Sequence, residues 1–152
     1  MKITKSLEQA VFVLLILALQ ANHKPVKSYV LSEKLGVSDS YLKKILRKLV
    51  VQDLITSTAS KDGGFQLKQS IEEITLYDVY EAVEEDTISQ FHSFIARNLF
   101  SDEAYVENSE KKIIHTMMKA KETLKELTLA ELIRPDKYTD GAVEWSEVEG
   151  PV

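Results

Sequence analysis

The sequence predicts a mostly α-helical protein with a small β-hairpin wing: a winged helix-turn-helix domain followed by a long C-terminal dimerisation helix. Three observations carry that expectation. A glycine turn, Gly36-Val37-Ser38, separates a short helix from one with an apolar side and a basic side. Downstream, Gly63-Gly64 lies between two strand-like runs. Towards the C-terminus, apolar residues recur on a seven-residue repeat.

Taken in order, residues 6–21 read as a first helix, with Ser6 as N-cap. The run Ala10 to Leu19 is apolar nearly all round, which suits a helix central to its domain. Asn22-His23-Lys24-Pro25 breaks it. Ser28 caps a short helix from Tyr29 to Leu35, whose core contacts are Val30, Leu31 and Leu35. Gly36 suits the left-handed position that closes it. Val37 packs inward and Ser38 caps the next helix, where Leu42, Ile45, Leu46 and Leu49 form one stripe. Leu54 to Thr58 is a strand, Ala59 to Gly64 a turn with Lys61 at its tip, and Phe65-Gln66-Leu67 the returning strand. Thr75 caps a helix from Leu76 to Glu85. Residues 88–100 hold a helix, or a loop and a helix. The heptad stripe Val106, Ile113, Met117, Ala120, Leu124 and Leu127, with Glu110 as its polar break, marks a long helix that ends at Pro135. Three segments follow: 1–86, the DNA-binding domain; 87–134, sensor and dimerisation helices; and 135–152, an acidic, mobile tail.

Composition narrows the class. The chain has 152 residues, 44% hydrophobic and 28% charged, enough for one core with an appended element. It contains no cysteine, which excludes disulfides, thiolate-held metals and iron–sulfur clusters. The net charge of −5 conceals an asymmetry. Residues 1–70 carry 11 Lys and Arg against 5 Asp and Glu, whereas residues 71–152 carry 8 against 19. A basic first half beside an acidic second half separates a surface that attracts polyanions from one that avoids them. The apolar run behind Lys2 and Lys5 is shorter than the ~20 residues that span a bilayer. Glu8 interrupts its basic flank and no cleavage pattern follows Leu19, so it reads as a buried helix rather than an export signal. A cytoplasmic protein without membrane contact is expected.

The outward side of the second helix of the pair carries Ser40, Tyr41, Lys43, Lys44, Arg47 and Lys48. Clustered mid-helix cations repel one another, and an anionic partner relieves that cost. In a major groove the first residues of such a helix reach base edges and the later cations meet phosphates. Ser38, Ser40 and Tyr41 are therefore expected on bases, and Lys43, Lys44, Arg47 and Lys48 on the backbone of double-stranded DNA. In the wing, Lys61 can reach a phosphate, and Gly63 and Gly64 permit close backbone approach. The bland alternatives are a solvated Lys-rich face and a plain hairpin turn. The narrow stripe Ile113, Met117, Ala120, Leu124 and Leu127 predicts a homodimer through paired helices, against the alternative of packing on the chain's own first helix. His23, His92 and His115 are far apart, and no nucleophile elbow, phosphate loop or metal motif occurs. No enzyme, metal or cofactor is expected, and His92 reads as a partly buried structural residue. Phe91, Phe94, Ile95, Phe100 and Tyr105 either line a pocket for an unidentified small-molecule effector or form plain core.

These residues together resemble the Rrf-two (BadM) family of bacterial winged-helix transcriptional regulators over about residues 1–133. The resemblance rests on Leu35-Gly36-Val37-Ser38 with Tyr41-Leu42 and Ile45-Leu46-Leu49. It also rests on the wing Gly63-Gly64-Phe65-Gln66-Leu67, on Ile71-Glu72-Glu73-Ile74-Thr75-Leu76-Tyr77-Asp78-Val79, and on Leu127-Thr128-Leu129-Ala130-Glu131-Leu132. It implies a homodimer joined through the long helix, two recognition helices in successive major grooves, and Ser28 as a flanking contact beside Lys61 to Gly64. Two departures stand out. Many members hold an iron–sulfur cluster on three cysteines in the stretch equivalent to Glu85–Val106, and this chain has none. The wing arginine that often precedes Gly-Gly is replaced by Thr58-Ala59-Ser60. The resemblance thus implies a sequence-specific repressor without a cluster. A winged-helix adaptor that meets an acidic protein is the alternative.

Overall fold

In a computed structural model, residues 1–135 and 141–152 are described. The helix α1 (Lys5–Leu19) lies at the centre. It is buried at Leu7, Ala10, Val11 and every position from Val13 to Ala18, and it packs against α2 (Ser28–Leu35), α3 (Asp39–Val51), β2 (Gly64–Leu67) and α4 (Leu76–Val83). Its N-cap is Thr4, whose hydroxyl accepts the Leu7 N–H, rather than Ser6. Ser28 is the first helical residue of α2 and makes no cap bond; the N-cap is Lys27. Gly36 closes α2 at φ +67°, in the left-handed region, and Ser38 caps α3 by accepting the Tyr41 N–H.

The α3 stripe Leu42, Ile45, Leu46 and Leu49 is buried to within a few per cent. The hairpin β1 (Ile55–Thr58)–β2 is antiparallel, with Ile55 opposite Leu67 and Thr58 opposite Gly64. Val26 adds a third short rung by exchanging both backbone hydrogen bonds with Phe65, each 2.9 Å. A reciprocal Thr75–Asp78 capping box starts α4.

The C-terminal half departs from expectation in three places. α5 (Phe94–Leu99) is short, and its apolar residues are on the surface: Phe94, Ile95 and Leu99 are 74%, 75% and 70% exposed. They are neither core nor the lining of a closed pocket within one chain. The long helix α6 (Glu103–Glu122) stops at Glu122, well before Pro135. A 3-10 turn, Thr123–Glu126, packs on α4, and a second capping box between Thr128 and Glu131 begins another at Leu129–Leu132. Finally, residues 141–148 are not a loose tail. Val143 and Trp145 are buried against α1. Of the expected mobile segment 135–152, residues 136–140 lie outside the described residues.

The polar break Glu110 has a definite task. Its buried carboxylate accepts the Ser93 N–H and a two-pronged contact from Arg97 at 2.9 and 3.0 Å, clamping α5 to α6. His92, expected to be partly buried, is half exposed, edge-on to Phe94 with Nδ1 3.8 Å from Glu110. The Arg97 guanidinium, and then the Ser93 amide, hold the Glu110 carboxyl down at about 2. A depressed carboxyl contributes stability above its ordinary value of 4.5, and that contribution is lost as pH falls from there towards about 2. The Ser93 amide is therefore expected to lose its hydrogen-exchange protection across that window, and Glu110→Gln, which keeps an acceptor oxygen but loses the charge that holds Arg97, to lower the protection at neutral pH. Equal protection in Glu110→Gln and wild type would show that the clamp does not hold α5.

Candidate nucleic-acid interface

The buried stripe of α3 fixes which side faces out. Ser40, Tyr41, Lys43, Lys44, Arg47 and Lys48 are all exposed on the opposite side, and Ser38 is exposed at the cap. Their hydrogen-bonding partners differ. Lys43 pairs with Asp39 at 3.0 Å. Lys48 is turned back, its Nζ donating to the Val83 carbonyl at the end of α4 at 3.2 Å. The Tyr41 hydroxyl lies 2.8 Å from the Ser6 hydroxyl, which orients the ring across the start of α1. Lys44 and Arg47 make no ion pair or hydrogen bond with any described residue. They are the two cations of the set that stand fully available to an anion.

The wing is built differently from the sequence expectation. Gly63 and Gly64 are buried and do not offer backbone to an outside partner. A Cβ at Gly63 would stand 2.1 Å from the Thr58 carbonyl oxygen, and one at Gly64 2.6 Å from that of Val26, where φ is +150°. Their task is to let the hairpin close against itself and against residue 26. This withdraws both from direct contact. Lys61 remains exposed at the tip.

Sequence reasoning missed Lys27. Its Nζ donates to the carbonyls of Ser60 and Lys61 at 3.3 and 2.8 Å, tying the wing tip to the start of α2. The available signal is its place immediately before the helix pair. Ser28 is half buried beside it.

The expected dimer seam divides. Ile113, Met117 and Ala120 are exposed along α6. Leu124 and Leu127 lie past its end and are half buried where the chain returns to its own body; the Leu127 carbonyl accepts the Leu76 N–H at 2.9 Å. Lys121 secures that return: its buried ammonium pairs with Glu81 and lies 5.5 Å from the ring centres of Tyr77 and Tyr80. No helix among the described residues is long and apolar enough to cross a membrane.

Residues 3–135 match the family model Rrf2, described as an iron-dependent transcriptional regulator. YffB of Lactococcus lactis subsp. lactis (strain IL1403), a candidate HTH-type transcriptional regulator, is 45% identical over 84 residues, 55% of this chain and 54% of that protein. YwgB of Bacillus subtilis (strain 168), described in the same words, is 46% identical over 84 residues, again 55% and 54%. The chain thus spans about half the length of the curated relatives it matches. Among solved structures, CymR (YrzC), the global cysteine regulator of B. subtilis, has the same fold at a TM-score of 0.62 and 21% identity, covering 87% of this chain and 95% of that one. The iron in the family description meets no fitting donor set. The chain has no thiolate, and the described residues hold no group of three or more His, Asp or Glu placed to ligate a metal. Glu110, just past the stretch where a cluster is implied, is occupied by Arg97 and Ser93.

Proposed function

The chain belongs to the Rrf2 family of transcriptional regulators, and on that premise we propose that it is a sequence-specific DNA-binding regulator of the cytoplasm, a homodimer that represses by occluding a promoter. One observation carries the reading. Lys44 and Arg47 stand exposed and unpaired on the helix whose opposite face is anchored in the core. Cations held on a rigid element at a groove-sized helix are what phosphate recognition requires. Ser40, exposed on the first turn, and Tyr41, steadied by Ser6, face bases in this reading; Lys61 extends the contact from the wing. With Lys61 the only cation on the hairpin, most specificity is read in the major groove.

The homodimer uses Ile113, Met117 and Ala120. Exposed apolar residues on one helix stripe are unfavourable in water, and a second copy covers them. The aromatic residues of 91–105 lie on the surface of the single chain, so an effector pocket there needs the second copy's surface to close it.

Fluorescence anisotropy with duplex from upstream of the protein's own gene, against scrambled duplex over a range of salt, tests the proposal. Binding to the upstream duplex is expected to exceed the scramble by on the order of a thousandfold and to survive physiological salt. Equal, weak and salt-erased binding to both would reduce α3 to a merely electrostatic surface.

A further inference from the structure

Residues 141–148 lie beyond the stretch that the family model matches, yet they are docked on the end of α1 by main-chain and side-chain hydrogen bonds. The end of α1 receives them through main chain and side chain together. The Val143 N–H donates to the Leu19 carbonyl at 2.9 Å, and the Ala21 N–H to the Val143 carbonyl at 2.7 Å, a short parallel bridge. Gln20 is 2% exposed, and its side-chain amide bonds to this segment at both ends: Nε2 donates to Glu144 at 3.0 Å, and Oε1 accepts the Trp145 N–H at 3.3 Å. The Trp145 indole N–H donates to the Ile16 carbonyl at 2.8 Å, with the ring 8% exposed. Lys34 of α2 donates to the Val148 carbonyl. Gly141 enters at φ +68°, with its Cβ position 2.3 Å from the Gln20 carbonyl oxygen.

What the segment grips leads directly to the wing. Immediately after Gln20 and Ala21, Asn22 and His23 both have positive φ, +56° and +50°, an unfavourable pair for side-chain-bearing residues. The His23 carbonyl accepts from Gln66 of β2 at 2.9 Å, Val26 pairs with Phe65, and Lys27 holds the wing tip. Docking at Gln20–Ala21 therefore pins one end of a left-handed connection whose other end is the base of the wing.

We infer that residues 141–148 are an intramolecular ligand for the α1–α2 groove, and that their docking fixes the wing and so strengthens DNA binding. The DNA part rests on the function proposed above. Anything that displaces the strap lowers affinity without touching α3, and by linkage DNA favours the docked strap.

Trp145 is the only tryptophan in the chain, so its emission reports the strap alone. In the full-length protein, Gly141→Ala and Val143→Asp place the disruption on the strap and leave the body's own residues intact. Both are expected to shift Trp145 emission to the red, to accelerate amide exchange at Val26 and Phe65 while the α3 amides stay protected, and to raise the Kd for the upstream duplex about tenfold. Red-shifted emission with Val26 and Phe65 still protected, or with wild-type affinity, overturns the coupling. Emission unmoved in both variants overturns the docking. If the wild type binds no duplex, the DNA reading fails while the exchange measurement still decides whether the strap holds the wing.

Discussion

The double substitution Lys44→Ala/Arg47→Ala is expected to weaken duplex binding by about three orders of magnitude near physiological salt, on every sequence alike, and to reduce the slope of log K against log salt by about 3.6. The estimate follows from geometry. These two cations make no ion pair or hydrogen bond with the described residues, so each is available to neutralise one phosphate, and a dimer presents each twice. Releasing the counterions of four phosphates accounts for both figures. The neighbouring lysines should matter less, because Lys43 is already paired with Asp39 and Lys48 with the Val83 carbonyl. Folding is not in question, since the buried stripe Leu42, Ile45, Leu46 and Leu49 is untouched. Ser40→Ala should instead change which duplex is preferred, with an unchanged salt slope. A double variant that binds like wild type at moderate salt would place the DNA elsewhere on the molecule.

The contrast among those four cations shows where sequence reading reaches its limit. The stripe of α3, the left-handed Gly36, the Ser38 cap and the Thr75 cap were legible because each is set by residues within one or two helical turns. The partners of Lys43, Lys48 and Tyr41 were not all so. Asp39 lies four residues away and could have been read, whereas Val83 and Ser6 arrive only through the packing of α4 and α1. The same division explains the C-terminal half. Gly141, Gly150 and a run of acids have the composition of a loose tail, and nothing local reveals that Gln20, over a hundred residues earlier, is buried to receive Trp145. Glu110 looked like a flaw in a heptad because its reason, Arg97, sits on another helix. Apolar spacing carried the long helix through Leu124 and Leu127, although Thr128 and Glu131 form a capping box that marks a new start and was available to be read. The apolar residues of α5 went unplaced for a different reason: apolar spacing alone does not say whether a short helix buries its side chains, and Phe94, Ile95 and Leu99 stay on the surface.

The exposed stripe of α6 gives the second large effect. Ile113→Asp/Met117→Asp is expected to convert a dimer into a monomer at micromolar concentration, seen by sedimentation equilibrium, and to weaken binding to a two-half-site duplex at least a hundredfold. Within a single chain Ile113 and Met117 are 50% and 40% exposed, so two aspartates there cost the isolated fold little. In a two-fold dimer each substitution counts twice. Covering the exposed half of a side chain of this size is worth roughly 0.7–1.5 kcal/mol, and four of them are lost, before the cost of desolvating the new carboxylates is added. The DNA effect follows because one protomer no longer delivers its partner to the second half-site at high local concentration. Circular dichroism should be unchanged, and binding to an isolated half-site should match that of the wild-type protomer, which separates loss of pairing from damage to α3. A wild-type protein that sediments as a monomer at all concentrations would sink the dimer. The exposed stripe of α6 would then have to be covered by a different protein, and the DNA site would be a single half-site read by one recognition helix.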